Sequence, residues 1–464
     1  MRPLTLLTLG LLLGGCAVGP DYSRPAIPTP EGYRGDSPDP AAAVSTQLLG
    51  DQKWWDVFQD PVLQQLIRTA LEQNYDVRIA ASRVLQAQAQ LGITRADQLP
   101  TLSAGSAAFG EYNPRISRAI PAYRTNAGEL DSSVVWNLDF WGKYRRETEE
   151  ARANLLASQW GRRAVLSSVV SSVATAYFTL RELDLALDLS KSTLAARRNS
   201  LQLTNLLASN GSASALDVRQ SEELVYTAAE TITDLERQIS QQENSLSILL
   251  GNNPGPIPRG RPLTEQADPP DVPVGLPSEL LERRPDIREA EETLVAANAA
   301  IGVAKAAFFP SISLTGLAGF ESNALNNLFS HSQRVWSEAG SLTQPVFAGG
   351  AIRSGMRLAE AQEQQMLLTY RQTILNAFQQ VSNSLVAYQK GREFREQQGL
   401  LTAAAEDTNR LSKILYQHGG ASYLQVLTSE NNAFAAELNL AQAQLDERLA
   451  LIQLYNALGG GWDE

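Results

Sequence analysis

Apolar residues from Leu166 onward set the first pattern in the chain. Leu166, Val169, Val173, Ala176, Leu180, Leu183, Leu187, Ser190 and Leu194 step alternately by three and four, the 3.5-residue repeat of a coiled-coil seam. This predicts a helix from about Glu147 to Ser209, roughly 95 Å long at 1.5 Å per residue. Proline placement agrees. Six of the 22 prolines lie between Pro20 and Pro40, nine lie between Pro254 and Pro285, and residues 122–253 and 346–464 contain none. A proline inside a helix costs about 3 kcal/mol, so those two stretches are where very long helices fit. Ala164–Leu180 carries no charge, yet it holds six Ser or Thr residues between Arg163 and Arg181. That composition favours a soluble coiled-coil helix over a membrane span.

The pattern occurs twice. Asn74-Tyr75-Asp76-Val77-Arg78 echoes Arg284-Pro285-Asp286-Ile287-Arg288 at an offset of 210 (286 − 76). Leu99-Pro100-Thr101-Leu102 echoes Phe309-Pro310-Ser311-Ile312 at the same offset. Phe140-Trp141-Gly142 echoes Phe347-Ala348-Gly349 at 207 (347 − 140). Gly211 with Leu216 and Val218 echoes Gly419 with Leu424 and Val426 at 208 (419 − 211), and Leu250-Gly251 echoes Leu458-Gly459 likewise. Each half reads as a helix, two strands, a very long helix, a tight turn and a returning helix. The expected division is a signal peptide 1–15, an N-terminal extension 16–60, a first repeat 61–253, a Pro-rich linker 254–278 and a second repeat 279–464.

The predicted strands are Thr101–Phe109, Ser132–Phe140, Ser311–Phe320 and Ser337–Phe347. Alternation is clear in Val134, Trp136, Leu138, Phe140 and in Ile312, Leu314, Ala318, Phe320, and weak in the other two. Four strands cannot close a membrane barrel, whose smallest natural form has eight. An open edge in lipid leaves backbone groups unpaired at several kcal/mol each. If the strands cross a membrane, several chains share one barrel, and three chains supply twelve strands. The segments Glu111–Thr125 and Ser322–Arg334, between the strands of each pair, are then loops that face outside.

Composition narrows the function. A net charge of −11 over 464 residues, with no long basic run, argues against nucleic acid as a partner. The two histidines, His331 and His418, lie far apart with no spaced ligand partners and read as solvated loop residues; no metal or cofactor is expected. There is one cysteine, Cys16, which excludes an intramolecular disulfide. Arg2 and the apolar run Leu4–Leu13 are too short to span a bilayer and fit a signal peptide. The run ends Leu13-Gly14-Gly15-Cys16, resembling a bacterial lipoprotein processing site that leaves Cys16 carrying lipid. Ala17 follows it, which in such lipoproteins favours sorting to the outer membrane.

Larger blocks match a family. Cys16-Ala17-Val18-Gly19-Pro20-Asp21-Tyr22 and Trp54-Trp55 with Phe58-Gln59-Asp60-Pro61 resemble landmarks of the outer-membrane factors, the TolC-like channels of multidrug efflux systems. So do Leu281-Glu282-Arg283-Arg284-Pro285-Asp286-Ile287, Ala304-Lys305-Ala306-Ala307-Phe308-Phe309-Pro310-Ser311-Ile312 and Ser341-Leu342-Thr343-Gln344-Pro345-Val346-Phe347-Ala348-Gly349-Gly350. The resemblance covers nearly the whole chain. It implies a mostly α fold with membrane β: a homotrimer with a shared twelve-stranded barrel in outer-membrane lipid and a periplasmic tunnel of long helices. A periplasmic adaptor (membrane fusion) protein and an inner-membrane pump are the implied partners, and the channel itself does no chemistry.

The same resemblance places adaptor-contact tips at Gly211, Gly419 and Gly420. It places a gate just past them at Asp217, Leu424 and Tyr416: an acidic ring, a hydrophobic constriction, and a phenol bonding between neighbouring helix pairs. Many members carry a second acid four residues after the leucine, where this chain has Thr428, so one acidic ring is expected. Asp217 also suits an N-terminal helix cap, and the two roles are compatible. Other classes fit less well. A porin would repeat strands about every ten residues. A hydrolase would show a nucleophile elbow or a His-Glu-x-x-His motif, and neither occurs. A coiled-coil structural lipoprotein would lack the paired strands. A channel for type I protein secretion remains an alternative within the class. Met1, Met356 and Met366 are the only methionines, which gives little support to a thioether-lined copper(I) path and leaves drugs or other small molecules as the expected cargo.

Overall fold

The structure, a computed structural model, describes residues 17–30, 32–34, 49–115, 119, 122–266 and 277–462. The signal segment, Cys16, most of 31–48, part of the loop after Asn113 and residues 267–276 of the linker lie outside the described residues. The principal elements are α1 (Trp54–Val57), α2 (Pro61–Gln73), α3 (Tyr75–Ala96), β1 (Thr101–Asn113), β2 (Tyr123–Leu138), α4 (Lys143–Ser209) and α5 (Ala215–Leu249). They continue with α6 (Pro277–Arg283), α7 (Pro285–Ala306), β3 (Ser311–Ser322), β4 (Arg334–Thr343), α8 (Ala351–Gln417) and α9 (Tyr423–Ala457). The halves match in length: α3 and α7 have 22 residues, α4 and α8 have 67, and α5 and α9 have 35. The chain packs as two compact units, one of residues 1–26, 83–159 and 289–371, the other of 27–82, 160–288 and 372–464.

The first unit holds the sheet, an antiparallel meander in the order β1-β2-β3-β4. Leu130 faces Phe320, Val134 faces Gly316, Trp136 faces Leu314 and Leu138 faces Ile312. These residues share one face, and Asp131, Ser133, Asn137, Ser313 and Thr315 share the other. Two expected strands are corrected at their ends. β2 begins at Tyr123, well before Ser132, and stops at Leu138, short of Phe140. β4 runs Arg334–Thr343, so Val346 and Phe347 fall outside it. The early part of β2, Tyr123–Glu129, carries no apolar alternation, yet β1 pairs along all of it. At the other end Pro345 has no N–H to continue a ladder. The loop between β1 and β2 is accordingly shorter than expected, since strand residues reach Asn113 and resume at Tyr123.

The expected offset of 207 also changes. Thr101 faces Val135 and Ser311 faces Thr343, which carries β2 onto β4 at 208 (343 − 135). Lys143 and Ala351 start α4 and α8 at the same offset (351 − 143). Gly142 therefore corresponds to Gly350, and both have positive φ, 79° and 89°. Below the strands, the segment after Cys16 is docked onto α4. The buried guanidinium of Arg146 donates to Asp21 Oδ1 at 2.7 Å, to Glu149 at 2.8 Å and to the Val18 carbonyl at 3.4 Å. Trp141 stacks on Phe309 at 4.8 Å and donates to the Pro310 carbonyl.

The second unit contains the predicted seam. Leu166, Val169, Val173, Ala176, Leu180, Leu183 and Ser190 are buried, and Leu187 and Leu194 are half-buried. An 18-residue window of α4 is apolar enough to cross a membrane, but 61% of it is buried against the protein. The linker is pinned over its described part. Arg259 bonds Asp184 and Glu243, and Arg181 donates to the Arg261 carbonyl. Its fixed point is Asp60, the N-cap of α2. Oδ1 accepts from Val62 and Leu63 N–H, and Oδ2 accepts from Tyr177 Oη at 2.7 Å, Arg261 N–H at 3.0 Å and Gln266 Nε2 at 2.9 Å.

Glu182, on α4, is 8% exposed. Burial, and then the charge of Asp446, push its carboxyl up to about 7. A raised acid binds its proton in the folded state first, so its ionisation costs stability as pH rises from about 4.5 to 7. Glu182→Gln is expected to raise the melting temperature at pH 8 and to leave it unchanged at pH 5. An equal shift at both pH values would refute this assignment.

Candidate functional site: the helix tips

The returning ends of α4 and α8 lie in the second unit and are built alike. Gly211, at φ 76°, donates to the Ala208 carbonyl while Ser212 N–H reaches Leu207 O at 2.8 Å. Gly419, at φ 77°, donates to Tyr416 O while Gly420 N–H reaches Leu415 O at 2.8 Å. This is the left-handed glycine stop that satisfies the last carbonyls of a helix. Among the described residues, and leaving aside each glycine's chain neighbours, no atom lies within 4 Å of where a Cβ would stand on Gly211 or Gly419. A side chain there meets solvent or a partner, and strain comes from the positive φ.

Each new helix starts on a serine. Ser214 Oγ accepts from Asp217 N–H at 3.1 Å, and the Asp217 carboxylate accepts from Ser214 N–H at 2.8 Å. Asp217 thus completes a capping box. Ser422 Oγ accepts from Gln425 N–H at 3.3 Å. Leu216 and Leu424, two residues beyond each serine, are exposed. His418 is exposed and its Nδ1 is 2.8 Å from the Ile414 carbonyl.

The two hairpins are fastened to each other by Tyr423, the first residue of α9. Its hydroxyl forms a short hydrogen bond with Ser221 Oγ on α5 and accepts from Thr204 Oγ1 on α4 at 3.1 Å. Thr204 and Ser221 are both 3% exposed. The Tyr416 ring lies 5.3 Å from that of Tyr423. Burial, and then the charge of Asp217, push the Tyr416 phenol above its ordinary range. Tyr416 makes a ring contact here, while Tyr423 supplies hydrogen bonds between the hairpins near the tips and Arg197 Nη2 supplies another farther along, to Asn431 Oδ1 at 3.4 Å. Deeper along the helices, buried Arg197 donates to the Leu224 carbonyl at 2.8 Å and lies over the Phe434 ring. Lys413 pairs with Glu430 at 2.7 Å, and Arg395 with Glu447 at 2.7 Å.

Asp217, Tyr416 and the glycine turns therefore occupy one end of the hairpins, with Leu424 exposed beside them. The fold is that of long helical hairpins joined to a four-stranded sheet with two free edges. The family model for outer membrane efflux proteins matches residues 66–252 and again 276–460. The chain belongs to the outer membrane efflux protein family. Among its relatives, a probable efflux pump outer membrane protein TtgC of Pseudomonas putida is 38% identical over 99% of this chain and 96% of the relative. The cation efflux system protein CusC of Escherichia coli K12 is 34% identical over 99% of this chain and all of the relative. Among solved structures, the open state of the Neisseria gonorrhoeae MtrE outer membrane channel superposes with a TM-score of 0.87, at 32% identity over 96% of this chain and 99% of that one.

In this outer membrane efflux protein the tip residues expected from sequence lie where the helices turn. Tyr423 was not among them. Its signal was a break in the repeat: at offset 208 its counterpart is Ala215 (423 − 215), which has no hydroxyl.

Proposed function

We propose that the chain is the outer-membrane channel subunit of a tripartite efflux system, assembled as a homotrimer with one shared twelve-stranded barrel. The observation that supports this best is the sheet with unpaired edges at β1 and β4. Such edges are untenable in lipid unless neighbouring chains close them. The apolar face formed by Val134, Trp136, Leu138, Ile312, Leu314 and Phe320 suits contact with lipid. The helical hairpins form the periplasmic tunnel, and Cys16 carries the lipid anchor after removal of residues 1–15. The division into an anchored extension 16–60, repeats 61–253 and 279–464 and a linker 254–278 belongs to this reading.

The periplasmic adaptor meets the tips at Gly211, Gly419 and Gly420, and an inner-membrane pump supplies energy and selects cargo. Asp217, Leu424 and the tyrosines at 416 and 423 close the tunnel until the partners engage. The conduit does no chemistry of its own. Relatives named for antibiotic, toluene and cation efflux leave cargo with the pump, and the scarcity of methionine favours drugs or other small organic molecules over copper(I).

In a host lacking its own outer-membrane channel, co-expression with the matching adaptor and pump is expected to restore drug resistance. Gly211→Trp or Gly419→Trp is expected to abolish that resistance while the amount of heat-resistant trimer is unchanged. Normal resistance in both variants would remove the adaptor contact from the tips.

A further inference from the structure

If copies of this chain share one barrel, as proposed above, the free edge of β4 in one copy must meet the free edge of β1 in the next. We infer that these two strands pair antiparallel in a single register, with Trp336 opposite the partner's Tyr112 and Val346 opposite the partner's Leu102.

The repeat supplies the register. Offset 210 carries β1 onto β3 (311 − 101), and offset 208 carries β2 onto β4 (343 − 135). The chain already contains one seam between its halves, where β2 meets β3: Gly128 faces Ser322, Leu130 faces Phe320 and Leu138 faces Ile312. Advancing β2 by 208 and moving β3 back by 210 gives the equivalent seam between copies. Gly128 and Ser322 become Trp336 and the partner's Tyr112. Leu130 and Phe320 become Glu338 and the partner's Gly110. Leu138 and Ile312 become Val346 and the partner's Leu102.

A second observation, independent of the repeat, selects the same alignment. The edges carry large apolar side chains that a single chain leaves open: Trp336 is 73% exposed, Tyr112 62%, Leu102 73% and Val346 95%. In this register an aromatic meets an aromatic and an aliphatic meets an aliphatic, the pairs that stabilise antiparallel neighbours. Slipping by two residues one way puts Trp336 against Gly110 and Val346 against Pro100, and slipping the other way puts Trp336 against Pro114 and Val346 against Ala104. Both slips lose both matches. A slip of one residue sends every side chain to the opposite face and would set Trp336 against Glu111 or Asn113 and Val346 against Thr101 or Ser103. The seam also accounts for the exposure of Val346 beyond the end of β4. Its counterpart, Leu138, is the last residue of β2, pairs with Ile312 of β3 and is half-buried.

Disulfide trapping tests the register in the full-length chain, whose sole native cysteine is Cys16. Opposed Cβ atoms lie within about 5.5 Å and diagonal ones at about 7–8 Å, and a disulfide needs about 3.5–4.5 Å. Trp336→Cys with Tyr112→Cys, and separately Val346→Cys with Leu102→Cys, are expected to form covalent dimers and trimers on mild oxidation. Their yield should be at least tenfold above Trp336→Cys with Gly110→Cys or with Pro114→Cys. Heat-resistant trimers, scored under reducing conditions, report on assembly itself. Trimers that form while a slipped pair cross-links best, or while neither predicted pair cross-links, would overturn the register and leave the trimer standing. Absence of any heat-resistant oligomer from every variant and from the unmodified chain would overturn the shared barrel and the register together.

Discussion

Tyr423→Phe is expected to raise the open probability of the reconstituted channel at least tenfold and to make cells leaky to large antibiotics. The substitution keeps the ring contact with Tyr416 and removes the hydroxyl that joins Ser221 and Thr204. Both partners keep a bond to their own helix, to Asp217 O and Ser200 O, so neither is stranded and the change acts on the link between hairpins. A hydrogen bond contributes about 1 kcal/mol net. The single Thr204 proton is shared between Ser200 O and Tyr423 Oη, so one net bond in each of three copies opening together amounts to roughly 3 kcal/mol, about a hundredfold in the closed-to-open ratio. Tyr416→Phe is expected to have a much smaller effect, and Asp217→Ala with Leu424→Ala an additional one. Single-channel recording and antibiotic susceptibility check these together. A Tyr423→Phe channel that stays shut would place the fastening elsewhere.

Asp60→Ala is expected to destabilise the folded chain by about 2–4 kcal/mol, the sum of a lost helix cap and of a buried hydroxyl left unpaired. The cap of α2 accounts for about 1 kcal/mol. The remainder comes from the buried Tyr177 hydroxyl, left without its acceptor at about 1–3 kcal/mol, whereas Arg261 is exposed and its N–H turns to water. Burial by itself would raise the Asp60 pKa. The hydrogen bonds from Gln266 and Tyr177, then those from the Val62 and Arg261 N–H groups, prevail and hold it below the ordinary carboxylate range. A depressed acid contributes stability above its unfolded value of about 4, and that contribution is lost as pH falls through its folded value. Asp60→Asn should therefore flatten the fall in melting temperature below pH 4 that the unmodified chain shows. An unchanged acid profile would rule out Asp60 as its source.

Local chemistry was legible in sequence and distant pairing was not. The turns at Gly211 and Gly419 and the cap at Asp217 follow from residues within a few positions of one another. The seam from Leu166 to Ser190 follows from a period that repeats many times. The start of β2 was hidden because Tyr123–Glu129 shows no apolar alternation, and pairing with β1 decides its conformation. Val346 and Phe347 look like strand residues by composition, but Pro345 ends the ladder before them. Tyr423 joins Ser221 and Thr204 across 202 and 219 positions. Only the contrast with Ala215 in the other half marks it.

The most direct measurement is ion conduction by the purified full-length chain in a planar lipid bilayer, paired with its mobility on an unheated gel. The expected result is discrete conductance steps carried by a species that migrates as a trimer and becomes a monomer on boiling. Folded, membrane-inserted protein that conducts as a monomer, or that migrates as a monomer without heating, would contradict a shared trimeric channel.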